Sequence, residues 1–246
     1  MTNTISIVPG VTTALQHIVP LFSEALGPDI DKLHLGGGTV LASRWQHRLS
    51  TDLDFFLHET NPADARTLLS AISKRIKQPT HTYALTDIQI AGGHLSFKTR
   101  NTRTSIFTTP PQTDKLSEQR ERVTHILLES TEEILAKKLY GRIIGDGEFT
   151  KRDFYDFCVA EIQEPEALNA ILQSLGDERE LIHAELKNKY RSELIRDAEH
   201  GPPLLEPAYP DIAGNLWDRA ANLFQREPTR SRTTDDRIQD DYDIER

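Results

Sequence analysis

The chain reads as an α+β protein: a mixed sheet with flanking helices, followed by a helical C-terminal region. Three observations predict this. Residues 33–57, LHLGGGTVLASRWQHRLSTDLDFFL, spell strand, glycine turn, helix and strand in close succession. Between 81 and 109 the text changes to short β-rich pieces, TYALTDIQIA, GHLSFKTR and RTSIFTT. On both sides of that stretch apolar residues recur at helical spacing.

Residues 11–26 open the chain as an amphipathic helix carrying Leu15, Ile18, Leu21 and Leu26, with a kink expected at Pro20 and an end at Gly27-Pro28. Leu33 to Leu35 is a short apolar strand. Gly36, Gly37 and Gly38 permit φ > 0 and let a ligand approach the backbone. Thr39 to Trp45 is a helical run whose free N–H groups point at whatever the glycines hold, a place suited to phosphate. The chain returns through His47 to Thr51 into a strand from Asp52 to Leu57. Side chains alternate along a strand, so Asp52 and Asp54 leave one face and Leu53 and Phe55 the other. Two carboxylates that close repel unless a cation lies between them, and oxygen ligands of this kind suit Mg²⁺ or Mn²⁺ shared with substrate phosphates. A glycine run alone is a turn, and a lone Asp-x-Asp is a solvated strand end. Together, a phosphate cradle and a metal clamp are the minimum apparatus for phosphoryl or nucleotidyl transfer.

Asn61-Pro62 is a helix start, Asn as cap and Pro at the first helical position, and the helix runs to Gln78-Pro79. The strands of 81–109 extend the sheet that carries Asp52 and Asp54. After a Pro110-Pro111 loop, VTHILLE reads as one more strand. Ser130 to Glu133 is a capping box opening the helix ILAKKLYGRII, with Ile134, Leu135, Leu139 and Ile143 facing a core. Lys137 reads there as an ordinary exposed lysine. A turn at Gly145 to Gly147 leads into the helix FTKRDFYDFCVAEI, where Thr150 and Asp153 are spaced as a cap and Asp156 lies one turn after Arg152, as a salt-bridge partner would. Helices follow at about 166–175 and 178–195, then an irregular connection at 201–210 and a short helix packed by Trp217. From 226 to 246 hydrophobic residues nearly vanish, as in a disordered charged tail.

Composition sets the class. The 246 residues are 37% hydrophobic with a formal charge of −9, so any nucleic-acid contact rests on a local basic patch. No apolar run approaches the ~18 residues of a membrane span. The N-terminus shows no export signal, and the one cysteine, Cys158, reads as a core residue of a reducing, cytoplasmic protein.

The stretch GGGTVLASRWQHRLSTDLDFFL resembles the signature of the AbiEii/AbiGii toxin family of nucleotidyltransferases, in which a Gly-Gly-Thr turn leads through His-Arg-x-Ser to Asp-Leu-Asp-Phe-Phe. TEEILAKKLYGR followed by KRDFYDFCVA is similar to that family's Glu-x-x-x-Ala-x-Lys-Leu and Arg-Asp-x-x-Asp helices. The resemblance implies a DNA polymerase β-type fold, with a nucleotidyltransferase domain at 1–129 and a helical region at 130–225 closing the cleft. It implies Asp52 and Asp54 as metal ligands for Mg²⁺ or Mn²⁺, with an NTP as donor. Gly37, Gly38 and Thr39 then hold the nucleotide, with Lys138 and Arg142 on its phosphates. Asp153 polarises the acceptor hydroxyl or fills a vacant metal position. That vacancy arises because the fold's third carboxylate is expected between Arg103 and Thr108, where none occurs. The implied partners are a cognate antitoxin protein and an RNA acceptor, the 3′ end of tRNA, beside a basic lip of Lys98, Arg100, Arg103, Lys151 and Arg152. Two alternatives stay open: a catalytically inactive binding module, and transfer to a protein or small-molecule acceptor.

Overall fold

The computed structural model describes residues 9–78, 84–99 and 102–225. The expected charged tail at 226–246 and Arg100 of the basic lip lie outside them. The chain is mixed α+β, as its sequence predicts. Seven strands form one sheet in the order β3-β4-β5-β2-β1-β7-β6. At its centre β1 (Leu33–Gly36) runs antiparallel to β2 (Leu53–Leu57), and β2 runs parallel to β5 (Thr102–Thr108). β3 (Leu85–Ala91) and β4 (His94–Thr99) extend the β5 edge as antiparallel neighbours. On the other side lie β7 (Leu127–Glu129), parallel to β1, and β6 (Ser117–Arg120), a polar strand that no apolar periodicity announces.

Alternation along β2 divides the molecule. Leu53, Phe55 and Leu57 are fully buried beneath α1 (Pro9–Leu26) and α3 (Pro62–Ile76), where the Phe22 ring meets Phe55 edge-on at 5.2 Å. Burying each such side chain stabilises by about 1.5–3 kcal/mol. α3 starts as its sequence dictates, the Asn61 side chain accepting from Ala63 N at 3.0 Å. The opposite face of β2 presents Asp54 and Phe56. Registered with them are Gly36 and His34 on β1 and Ser105 and Phe107 on β5, so all six share the cleft face.

α2 (Gly37–Trp45) crosses from β1 back toward β2, and α4 (Thr131–Ala136) starts at a Ser130 cap that accepts from Glu133 N at 3.0 Å. α4 continues as a π-helical stretch, Lys137–Gly145, where a plain α-helix is expected. Such wide turns are frequent at functional sites. α5 (Lys151–Gln163) follows, then α6 (Pro165–Gln173). The single helix expected at 178–195 is two, α7 (Glu178–Lys187) and α8 (Glu193–His200). Ser192 starts the second by accepting from Ile195 N, a cap that apolar spacing alone conceals. α9 (Pro210–Gly214) and α10 (Leu216–Gln225) complete the bundle, with Trp217 against Phe154 at 5.5 Å. Buried hydrophobic residues form one cluster from Val11 to Phe224.

Candidate active site

The site is built where β1 ends and α2 begins. Gly37 has φ +67°, and a Cβ there would lie 2.7 Å from the Asp54 carboxylate, so only glycine lets the chain turn so close beneath Asp54. A Cβ on Gly38 would meet the guanidinium of Arg48. No side chain caps the start of α2, which leaves its first N–H groups available beside these residues. The Thr39 hydroxyl, in contrast, donates to the backbone carbonyl of Asp52 and lies 2.9 Å from Ser50 Oγ. It is buried, so its side chain holds the approach to Asp52 in place instead of facing a nucleotide.

Asp52 and Asp54 are half-buried, and among the described residues neither carboxylate has a hydrogen-bond or ion-pair partner. Burial pushes the Asp54 carboxyl up; Asp52 adds to the effect, while Arg142 and Lys138 oppose it. A pair of hard oxygen donors left unpaired and mutually repelling fits a divalent cation. On the adjoining strand the residue registered with Asp54 is Ser105. The third carboxylate is thus absent from the structure as it is from the sequence.

Two carboxylates on α5 organise the surrounding cations. Asp153 is fully buried; its backbone N–H is capped by Thr150 at 3.0 Å, but its carboxylate pairs with Lys138 and with Arg142 at 3.2 Å. Burial resists its ionisation, yet Lys138 and Arg142 outweigh burial and hold it at about 2. Asp156 is equally buried and takes Arg48 through two bonds of 2.7 and 2.9 Å, His47 Nε2 at 2.7 Å and Lys138 at 3.1 Å. Arg48 and Lys138 overcome burial and keep Asp156 well below the carboxylate range. The expected Arg152 partnership is therefore wrong: Asp156 bolts the His47-Arg48 segment to α5. Sequence spacing had no means of finding this, since the partners are 108 residues apart. Tyr155 completes the joint, stacking on the His47 ring at 5.6 Å while its hydroxyl donates to His47 O and accepts from Tyr209 N.

These groups line a cleft of about 290 Å³ that includes Gly38, Ser50, Asp52, Asp54, Lys138, Arg142 and Asp153. Arg103 and Arg152 also line it, but Lys98 pairs with Asp87 and Lys151 with Glu199. His94 is a wall residue that sequence reasoning missed. It stacks on Phe107 at 4.7 Å, and its Nε2 is buried without a hydrogen-bond partner. Burial pushes its imidazole pKa down, so it is neutral near pH 7.

Lys137, expected to be exposed, is in fact drawn inward. Its ammonium contacts Glu129, lies 3.4 Å from Glu133 and sits 3.5 Å over the Phe56 ring. Among the described residues His58, Glu129 and Glu133 form the cluster with metal-like spacing. The Lys137 ammonium already supplies the positive charge there, and burial pushes His58 down to about 4. That cluster is a buried ion-pair network; the partnerless acidic pair is Asp52 and Asp54.

A family described as "Nucleotidyl transferase AbiEii toxin, Type IV TA system" matches residues 21–244. Among solved structures, JHP933 from Helicobacter pylori is similar at 15% identity and a TM-score of 0.44, covering 98% of this chain and all (100%) of that one. Another solved structure, of a candidate nucleotidyltransferase from H. pylori, is similar at 18% identity and a TM-score of 0.45, covering 87% of this chain and 95% of that one. No curated protein sequence matches. Among the described residues no helix is long and apolar enough to cross a membrane.

Proposed function

The chain belongs to the AbiEii family of nucleotidyl transferase toxins of type IV toxin–antitoxin systems, and from that premise we propose that it transfers a nucleotidyl group from an NTP to RNA, at the 3′ end of tRNA. The observation that carries the reading is the partnerless pair Asp52 and Asp54 beside the open N-terminus of α2. A divalent cation, Mg²⁺ or Mn²⁺, held by these carboxylates would supply charge neutralisation at the transferring phosphate. Gly37 and Gly38 let the phosphates rest against the α2 backbone N–H groups. Lys138 and Arg142 stabilise the negative charge that builds up on them, held ready by Asp153 and Asp156. Asp153 acts in this reading as a positioning residue, because its carboxylate is committed to those cations. In this reading residues up to 129 carry the carboxylate pair and the glycine turn, and residues 130–225 bring the cations over them.

Arg103 and Arg152 form the lip for the acceptor backbone. A cognate antitoxin protein is the partner expected of such a toxin. Ser105 in place of the third carboxylate favours one rival, a catalytically inactive binding module.

The test is incubation with each α-labelled NTP, Mg²⁺ and total cell extract. Label on tRNA, absent with Asp52→Ala, is the expected result. Label on protein or a small molecule alone overturns the RNA acceptor, and no label anywhere supports the inactive module. Binding of tRNA should weaken with salt, and Arg103→Ala/Arg152→Ala should flatten the slope by roughly 0.7 for each phosphate the variant no longer neutralises.

A further inference from the structure

The chain between α8 and α9 crosses the loop that leads to Asp52, and it grips that loop by its backbone. Residues 201–209 form no helix or strand and none of them is buried. Even so, Leu205 O accepts from Leu49 N at 2.9 Å, and Ala208 N donates to His47 O at 2.7 Å. Among the described residues, these are the backbone-to-backbone hydrogen bonds of residues 47–51. A third tie runs through α5, where the Tyr155 hydroxyl donates to His47 O and accepts from Tyr209 N, both at 3.0 Å.

The two backbone bonds run antiparallel but out of step. Between them lies Arg48 on the loop and both Glu206 and Pro207 on the strap, the pairing of a β-bulge. Pro207 has no N–H to leave unsatisfied there. Glu206 sits at φ +48°, in the left-handed region where a bulge ordinarily places glycine. A residue with a side chain persists in that conformation where its surroundings over-determine it, and such residues gather at functional sites. Pro202, Pro203 and Pro207 fix φ along the strap, which favours one path without help from a helix or sheet.

What the bulge opposes is part of the catalytic cleft. Arg48 sends its guanidinium to Asp156 and against Gly38, and Arg48, Ser50 and Asp52 line the cleft together. We propose that residues 205–208 are a positioning strap for this site. They set the path of residues 47–49, and through it the places of Arg48, Ser50 and Asp52 in the cleft wall. The strap does not itself line the cleft, so it acts through these residues. The inference rests on the nucleotidyltransferase reading.

The test uses the full chain with Mn²⁺, counting the free ion by electron paramagnetic resonance, beside NTP turnover and hydrogen exchange of the Leu49 amide. Ala208→Pro deletes the N–H bonded to His47 O, whereas Ala208→Gly keeps it, and the Ala208 side chain is exposed. In Ala208→Pro, Leu49 should exchange faster, and Mn²⁺ affinity and kcat should each fall roughly tenfold or more, as when a supporting partner of a metal ligand is lost. Ala208→Gly should stay within twofold of wild type in all three. Leu186→Ala, a core truncation on α7, should lower stability and leave Mn²⁺ affinity unchanged. Unchanged Mn²⁺ affinity in Ala208→Pro overturns the strap. An equal loss in Leu186→Ala also overturns it, because general loosening then suffices. If Ala208→Pro fails to fold, Tyr155→Phe removes only the hydroxyl between His47 O and Tyr209 N and carries the same expectations. Equal Mn²⁺ binding by wild type and Asp52→Ala/Asp54→Ala overturns the metal assignment, and the strap's role with it.

Discussion

Replacing Asp156 by alanine removes the one carboxylate on which an imidazole, a guanidinium and an ammonium converge. Arg48 is bound through two hydrogen bonds, His47 through one, and Lys138 sits 3.1 Å away, all of them buried. Arg48 is then without its only carboxylate within bonding distance among the described residues, and Lys138 keeps Asp153 alone. Breaking a buried pair by deleting one partner costs about 3–5 kcal/mol, because the surviving charge is left in a poor solvent. For a chain of this size each kcal/mol lowers the melting temperature by roughly 2–4 °C, so a fall of roughly 6–20 °C is expected. Urea unfolding at pH 7, read by circular dichroism, measures the loss directly. Arg48→Met/Asp156→Leu removes both charges and should recover much of the stability, since apolar replacement of a buried pair is often neutral. It should not recover turnover, because the segment leading to Asp52 has then lost its side-chain tie to α5 and Lys138 one of its two carboxylates. A loss below ~1 kcal/mol for Asp156→Ala, the range of a surface ion pair, would refute the bolt.

Three further outcomes follow from the same charges. Asp54 has its carboxyl pushed up by burial, so its ionised form destabilises the metal-free fold above the unfolded pKa; Asp54→Asn should raise the melting temperature without metal and abolish turnover. Lys137→Ala leaves the Glu129 carboxylate without its cation in the interior, so it should cost about 3–5 kcal/mol in urea unfolding; a neutral effect would return Lys137 to the solvated surface. Asp153 is held at about 2 against an ordinary 3.8, so its contribution is present above 3.8 and disappears as pH falls toward 2. That contribution is about 2 kcal/mol, and Asp153→Asn should flatten the acid limb of a stability–pH profile by that amount.

The local grammar of the chain determined a good part of this architecture. Alternation alone places Asp52 and Asp54 opposite Leu53 and Phe55, and the glycine run announces the turn beneath them. Asn61-Pro62, Ser130 and Thr150 start helices where their side chains can cap them. These features are legible because each depends on residues within a turn or a strand of one another. What only the tertiary structure decided is the fate of the charges. Lys137 and Lys138 are adjacent, yet one ends on Glu129 and the other on Asp153 and Asp156. Arg48 finds Asp156 instead of solvent, the Thr39 hydroxyl turns to the backbone of Asp52, and His94 enters the cleft through strand pairing with Phe107. The physical reason is that a buried charge or donor must find a partner wherever the fold brings one. Partner choice across about a hundred residues leaves no periodic trace, whereas hydrophobic burial does.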